Sequence, residues 1–190
     1  MSTVNLSDVT LDDRALAETI AARANVNLRD CYQCGKCSAG CPMADAMDMM
    51  PQQVIRALQL GQVDRALSAR GPWICAQCMV CSTRCPQGIS ITELMHEVRM
   101  ESHYEGRNIV PESETFESQF ISGVRSDGRS NEQYLAAFYN LKSGHLMQDM
   151  DSATKMLSKG LVGISKHGVK DKQAVRDLVD RCLNKKKGGE

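Results

Sequence analysis

Eight of the nine cysteines fall into two copies of one spacing: Cys31, Cys34, Cys37 and Cys41 before Pro42, and Cys75, Cys78, Cys81 and Cys85 before Pro86. Each run reads C-x2-C-x2-C-x3-C-P, a pattern that binds cubane iron–sulfur clusters. A four-iron cluster needs four thiolates, one at each iron corner. Cysteines at i, i+3 and i+6 wrap a tight loop around three corners, and the fourth, held off before a proline, points to a second cluster. The expected ligation is therefore crossed: Cys31, Cys34, Cys37 and Cys85 on one [4Fe-4S] cluster, Cys75, Cys78, Cys81 and Cys41 on the other.

Other uses of cysteine fit less well. Disulfides require an oxidising compartment, and the opening Met1-Ser2-Thr3-Val4-Asn5 is followed by neither a basic segment nor an apolar h-region. Zinc sites are built from two separated pairs, without three evenly spaced cysteines and a lone fourth before proline. Covalent haem needs C-x-x-C-H, but Gly35 and Met79 stand where histidine would be. Reduced thiols and the missing leader lead to an expectation of cytoplasmic residence.

The 23 basic and 23 acidic residues cancel, so no charge footprint for nucleic acid exists. No stretch approaches the roughly 20 apolar residues of a membrane helix, and Leu161-Val162-Gly163-Ile164 is far too short. Aromatic residues make up 4% of the chain, so much of the interior is expected to form around inorganic clusters. Metal binding and folding should then be coupled, leaving the apo-chain poorly folded.

The expected fold is mainly α. Residues 1–28 read as an N-terminal helical arm, with Thr10 as cap and Leu16, Ala17, Ile20 and Ala21 at helical spacing. Residues 29–108 form the cluster domain. Between the two runs, Pro51, Val54, Ile55 and Leu58 recur at i, i+3, i+4 and i+7 with Gly61 as a stop, and a short helix follows from Gln62 to about Ser68. The linker is thus helical, unlike the hairpins of small two-cluster ferredoxins. After the second run, Ser90 and Glu93 read as a capping box, with Ile89 and Leu94 as its staple, ahead of an apolar stripe of Ile91, Leu94, Met95 and Val98. Residues 109–184 read as a helical docking extension: Phe116 and Phe120, a turn at Ser126–Ser130, a helix capped by Asn131, glycine breaks at Gly160, Gly163 and Gly168, and a last helix near Asp171–Leu183. Residues 185–190 read as a disordered tail.

Several residues carry two readings. Gly35, Gly40 and Gly88 could admit backbone amides to the cluster sulfurs or simply serve turns. Lys36 and Arg84 could offset a cluster charge of about −2, although solvated loop charge is the favoured role. Met43, Met47, Met49 and Met50 are favoured as core filler over a docking surface. His96 and His103 lack companion ligands, and Cys182 reads as a spare thiol.

The two runs, the helical linker, Cys31-Tyr32-Gln33-Cys34-Gly35-Lys36-Cys37 and Trp73-Ile74-Cys75 resemble the α-helical ferredoxin family. The size and the Gly128-Arg129 turn resemble, within it, the C subunit of the heterodisulfide reductases of methanogenic archaea, over residues of about 25 to 165. No G-x-G-x-x-G follows a strand pattern, no adjacent Cys-Cys pair occurs, and no plant-type C-x4-C-x2-C run is present. The resemblance implies a non-catalytic electron-transfer subunit. Electrons would pass singly from a flavin-containing iron–sulfur subunit, itself fed by a hydrogenase or formate dehydrogenase, to a Cys-Cys-Gly-type catalytic subunit that reduces the coenzyme M–coenzyme B heterodisulfide in methanogenesis. Similar helical domains serve quinone- or fumarate-linked oxidoreductases, which keeps a relay in such an enzyme as the alternative.

Overall fold

The protein is described by a computed structural model, over residues 9–107, 109–144, 148, 150–160 and 168–185. Chain segments 1–110 and 111–190 form two compact units. No strand occurs among the described residues, in accord with the expected α-helical class. Residues 1–8, the stretch Leu161–Ile164 with its expected break at Gly163, and 186–190 of the expected tail lie outside the described residues.

In the first unit, helix α1 (Leu11–Arg23) begins with a reciprocal cap. Thr10 Oγ1 accepts from the Asp13 amide at 3.1 Å, and the Asp13 carboxylate accepts from the Thr10 amide at 2.8 Å. These bonds hold the Asp13 carboxyl below its ordinary range. The small residues Ala17, Ala21 and Ala24 are buried beside Ile20, which lets α1 come close to α3 (Pro51–Gln59), α4 (Val63–Leu67) and α7 (Ile91–Tyr104). Arg23 at its end pairs with Glu97 at 3.1 Å and with Glu101, both on α7.

The linker is helical as its spacing predicts. Pro51 opens α3, where its missing N–H costs nothing. Gly61, at φ +73°, closes it with the Gln62 amide donating to the Ala57 carbonyl at 2.8 Å and the Gly61 amide to Leu58 at 3.0 Å. The core gathers Ile20, Val54, Ile55, Leu58, Val63, Leu67, Ile91, Leu94, Met95 and Val98, with Met47 and Met49 as the expected filler. Ser102 Oγ donates to the Leu67 carbonyl at 2.9 Å inside this core, pinning α7 to α4.

One contact in the linker leaves no room for a side chain. Helix α5 (Gly71–Ile74) starts where the Asp48 carboxylate accepts from the Arg70 amide at 3.0 Å and the Gly71 amide at 2.9 Å. A Cβ on Gly71 would overlap the Met49 carbonyl oxygen. Gly71→Ala should therefore destabilise this unit by about 3 kcal/mol, the upper end for overpacking. The check is a lowered denaturation midpoint followed by fluorescence of Trp73, the single tryptophan.

In the second unit, α8 (Pro111–Asp127) packs on α9 (Glu132–Ser143) and α11 (Lys172–Lys185), and α10 (Met150–Ser158) lies between them in sequence. Asn131 caps α9 as expected, accepting from the Tyr134 amide at 3.5 Å. Helix α8 runs on to Asp127, so the turn is narrower than Ser126–Ser130. It closes at Gly128, φ +79°, where a Cβ would overlap the Val169 side chain. Arg125 grips Asp180 through two bonds of 2.6 and 3.0 Å, which holds the Asp180 carboxyl below its ordinary range. None of the described side chains of this unit is buried; Phe116, Phe120, Phe138 and Leu141 all meet solvent.

Candidate cluster-binding site

The two cysteine runs fold alike. Gln33 and Gly35 have φ of +63° and +80°, and their counterparts Gln77 and Met79 have +52° and +63°. Left-handed residues set into a tight loop turn successive N–H groups toward one concave side, a shape suited to an anion. Glycine takes this conformation freely in the first loop. Met79 takes it against a penalty of about 1–2 kcal/mol. Each loop then enters a one-turn helix, α2 (Lys36–Ala39) or α6 (Val80–Thr83), that carries the third cysteine inward. Cys37 and Cys81 are buried in the core, and Cys31, Cys41, Cys75 and Cys85 pack against it; Cys34 and Cys78 are exposed. Helices α2 and α6 are neighbours.

The thiols, which stand where cluster thiolates would be, influence one another across the two runs. The Cys75 thiol is pushed up first by burial, is drawn back by the Gln77 amide, and is pushed up further by Cys81, Cys41 and Cys78. Around the Tyr32 phenol, raised first by desolvation, lie Cys34, Cys85 and Cys31. Cys41 thus acts on a thiol of the second run, and Cys85 acts on Tyr32 together with two thiols of the first. Burial also raises Cys37, against hydrogen bonds from Ser38, with Cys31 and Cys81 adding to the rise. The two Cys-Pro ends come together as well: Arg84 lies so close over Gly40 that a Cβ there would overlap its guanidinium.

This donor set suits two cubanes. All nine cysteines are free thiols. Among the described residues no three His, Cys, Asp or Glu side chains converge as a single-ion site. A cubane needs its thiolates set apart, one to each iron corner, whereas one zinc ion draws four ligands to within about 2.3 Å.

Two serines outside any recognised motif hold the loops in place. Ser38 Oγ, beside Cys37, accepts from the Gln52 amide at 3.1 Å, and Ser82 Oγ, beside Cys81, accepts from the Thr92 amide at 3.1 Å. Each ties the second residue of a long helix, α3 or α7, to a cluster loop, aiming the positive end of the helix at the thiolates. Thr92 Oγ1 also lies 3.4 Å from Cys81 Sγ, and Ser38 Oγ lies 4.0 Å from Cys37 Sγ. The expected capping box of α7 is thereby corrected. Ser90 makes no side-chain cap bond; Ser82, distant in sequence, takes its place. The only sequence signal for the two anchors is the recurrence of serine directly after each third cysteine.

Glutamines line both loops. Gln33 Nε2 donates to Cys31 Sγ at 3.4 Å and to Gln59 Oε1 at 3.3 Å, and Gln59 Nε2 donates to the carbonyls of Leu28 and Cys31 at 2.7 and 2.8 Å. In the second loop, Gln77 Nε2 meets His96 Nδ1 at 3.0 Å. His103 packs edge-on to Trp73 with ring centroids 6.5 Å apart. The Arg99 guanidinium lies over the buried Trp73 indole, 5.5 Å from its centroid. Burial lowers the Arg99 pKa, and the Cys75 thiolate opposes that change. Lys36 and Arg84 are exposed, which fits the favoured solvated role. Gly35 and Gly88 (φ +66°) serve turn geometry, while Gly40 serves the approach of Arg84. Cys182 is exposed on α11.

Among the described residues no helix is long and apolar enough to cross a membrane. Residues 27–89 match the 4Fe-4S dicluster domain family, and the chain binds two [4Fe-4S] clusters. It is 29% identical over 130 residues to the C2 subunit of the H2/formate:CoB-CoM heterodisulfide,ferredoxin reductase of Methanococcus maripaludis, covering 68% of this chain and 59% of that protein. The C subunit of the H2:CoB-CoM heterodisulfide,ferredoxin reductase of Methanothermobacter thermautotrophicus is 31% identical over 90 residues, 47% of this chain and 49% of that one. A protein of Archaeoglobus profundus described as similar to the heterodisulfide reductase C subunit is 31% identical over 115 residues, 60% and 57% of the two chains. The chain spans roughly half the length of the curated relatives it matches. The resemblance to the C subunit of heterodisulfide reductases is borne out.

Proposed function

We propose that this chain is the electron-transfer subunit of a heterodisulfide reductase complex in the cytoplasm. It would stand between a flavin-containing iron–sulfur subunit, with a hydrogenase or formate dehydrogenase behind it, and a Cys-Cys-Gly-type catalytic subunit acting on the coenzyme M–coenzyme B heterodisulfide. Its clusters supply single-electron carriage. Cys31, Cys34, Cys37 and Cys85 hold one of them, and Cys75, Cys78, Cys81 and Cys41 the other. The observation that supports this reading is that influence crosses the runs: Cys41 acts on Cys75 together with Cys81 and Cys78, and Cys85 acts on Tyr32 together with Cys34 and Cys31.

The other residues prepare the loops for a negative charge that changes by one unit at a time. Left-handed residues turn amides inward, Ser38 and Ser82 anchor the ends of α3 and α7, and Gln33 donates to a ligand sulfur. Such bonds favour the more negative, reduced state. Exchange of ligands between the runs ties the loops together and keeps the electron's path short. The exposed aromatic faces of α8 and α9 serve to dock a partner subunit.

The test is anaerobic purification from the native host, with each co-purifying subunit identified and iron and sulfide counted. A flavoprotein together with a chain rich in Cys-Cys-Gly signatures is expected. A membrane quinone subunit or a fumarate-type flavoprotein would overturn the heterodisulfide assignment in favour of the alternative relay.

A further inference from the structure

The two halves of the cluster domain are built on one plan, and the plan shows where they differ. Ser38 binds the second residue of α3, Gln52, and Ser82 binds the second residue of α7, Thr92. Gln33 and Gln77 occupy the same place in the two loops, with the same left-handed backbone. Counting from the first residue of each helix, Pro51 and Ile91, the ninth positions are Gln59 and Arg99. Both lie toward the start of their own loop: Gln59 donates to the Cys31 carbonyl at 2.8 Å, and Arg99 stands over Trp73, two residues before Cys75, whose thiolate acts on the guanidinium through its charge. A neutral amide in one half is replaced by a fixed cation in the other.

We propose that Arg99 separates the two clusters in potential, its charge, seated over Trp73 at the entry to the second loop, making the cluster of Cys75, Cys78 and Cys81 the easier of the two to reduce. The inference rests on the proposed ligation of those three cysteines and on no identity of a partner. One-electron reduction adds one negative charge and breaks no bond, and the guanidinium keeps its protons throughout. A cation near that charge favours the reduced state, more strongly where water is excluded. Trp73 is 5% exposed and Arg99 is partly buried against it, so the guanidinium is held and partly desolvated. The cation–π approach to the indole also suits arginine at this position. Cations near the first loop, Arg29, Lys36 and Arg84, the last lying over Gly40, are exposed, and solvent and salt screen them. The Cys75 loop is then where an electron rests within this chain.

The experiment is a potentiometric titration of the full chain with both clusters assembled, followed by electron paramagnetic resonance. Cys34→Ser and Cys78→Ser variants mark which signal belongs to which loop. In Arg99→Gln the reduced-to-oxidised ratio of the Cys78-marked cluster at a fixed potential should fall about tenfold, a midpoint about 59 mV lower. The other cluster should not move, and Arg99→Lys should stay close to the wild type. Gln59→Lys, which can still donate to the Leu28 and Cys31 carbonyls, should raise the midpoint of the Cys34-marked cluster. An unmoved midpoint in Arg99→Gln, a shift confined to the Cys34-marked signal, or an equal fall in Arg99→Lys would overturn the inference. If Arg99→Gln fails to retain iron, an unchanged midpoint in Gln59→Lys overturns it instead. Wild-type iron and sulfide short of two cubanes would overturn the cluster reading itself, and this inference with it. Full counts with unmoved midpoints would overturn this inference alone.

Discussion

Cys85→Ser is expected to damage the cluster of the first loop, and Cys41→Ser the cluster of the second, each leaving the cluster of its own run intact. The expectation follows from influence that crosses the runs: Cys85 acts on Tyr32 together with Cys34 and Cys31, and Cys41 acts on Cys75 together with Cys81 and Cys78. The approach of Arg84 to Gly40 brings the two Cys-Pro ends side by side, so each fourth thiol has only a short distance to cross. Serine is a poorer ligand to iron at neutral pH because its hydroxyl, unlike a thiol, is barely ionised. Each variant should therefore lose about half of its iron and sulfide, roughly one cubane in two, or show one altered signal. Markers in Cys34→Ser and Cys78→Ser identify which signal has changed. Loss of the cluster belonging to the mutated run would mean that each run closes on its own cubane.

Removal of iron by a chelator under anaerobic conditions should collapse the unit of residues 1–110. Helices α2 and α6 have four residues each, far below the roughly 12 that an isolated helix needs in water. Without metal nothing offsets the left-handed strain at Gln33, Gln77 and Met79 or the burial of Cys37 and Cys81. Both buried thiols lie within the same core as Ile55, Leu94 and Met95, so loosening the loops opens that core. Trp73 is the chain's one tryptophan and sits two residues from Cys75. Its emission should shift to the red and its cooperative unfolding transition should vanish, and both should return when iron and sulfide are restored. A tryptophan transition that survives chelation would show that the helices stand without the clusters.

Local chemistry carries much of the architecture. Thr10 and Asn131 cap the helices they precede, Gly61 stops α3, and Pro51, Val54, Ile55 and Leu58 are buried on one face. Those signals act within one turn of chain, where backbone and side chain meet by necessity. The cap of α7 departs from its local signal for the complementary reason. Ser90 has the right local position, but the Thr92 amide is taken by Ser82, which arrives from the cluster loop. A pattern of neighbours along the chain cannot report a competitor brought in through space. Arg99 is the same case: in sequence it is one more cation on an amphipathic helix, and only its seat over Trp73 near Cys75 gives it a site to act upon.

By itself, the sequence determined the chemistry and the secondary structure. Two runs of four cysteines at a cubane spacing and a helical linker follow from covalent reach and helical period, which depend on residues close along the chain. The tertiary structure alone decided which hydroxyls anchor α3 and α7 and where the two halves stop being equivalent. Those are matters of distance between segments far apart in sequence, and burial gives them their strength: a charge or hydrogen bond acts more strongly on a thiolate where water has been excluded.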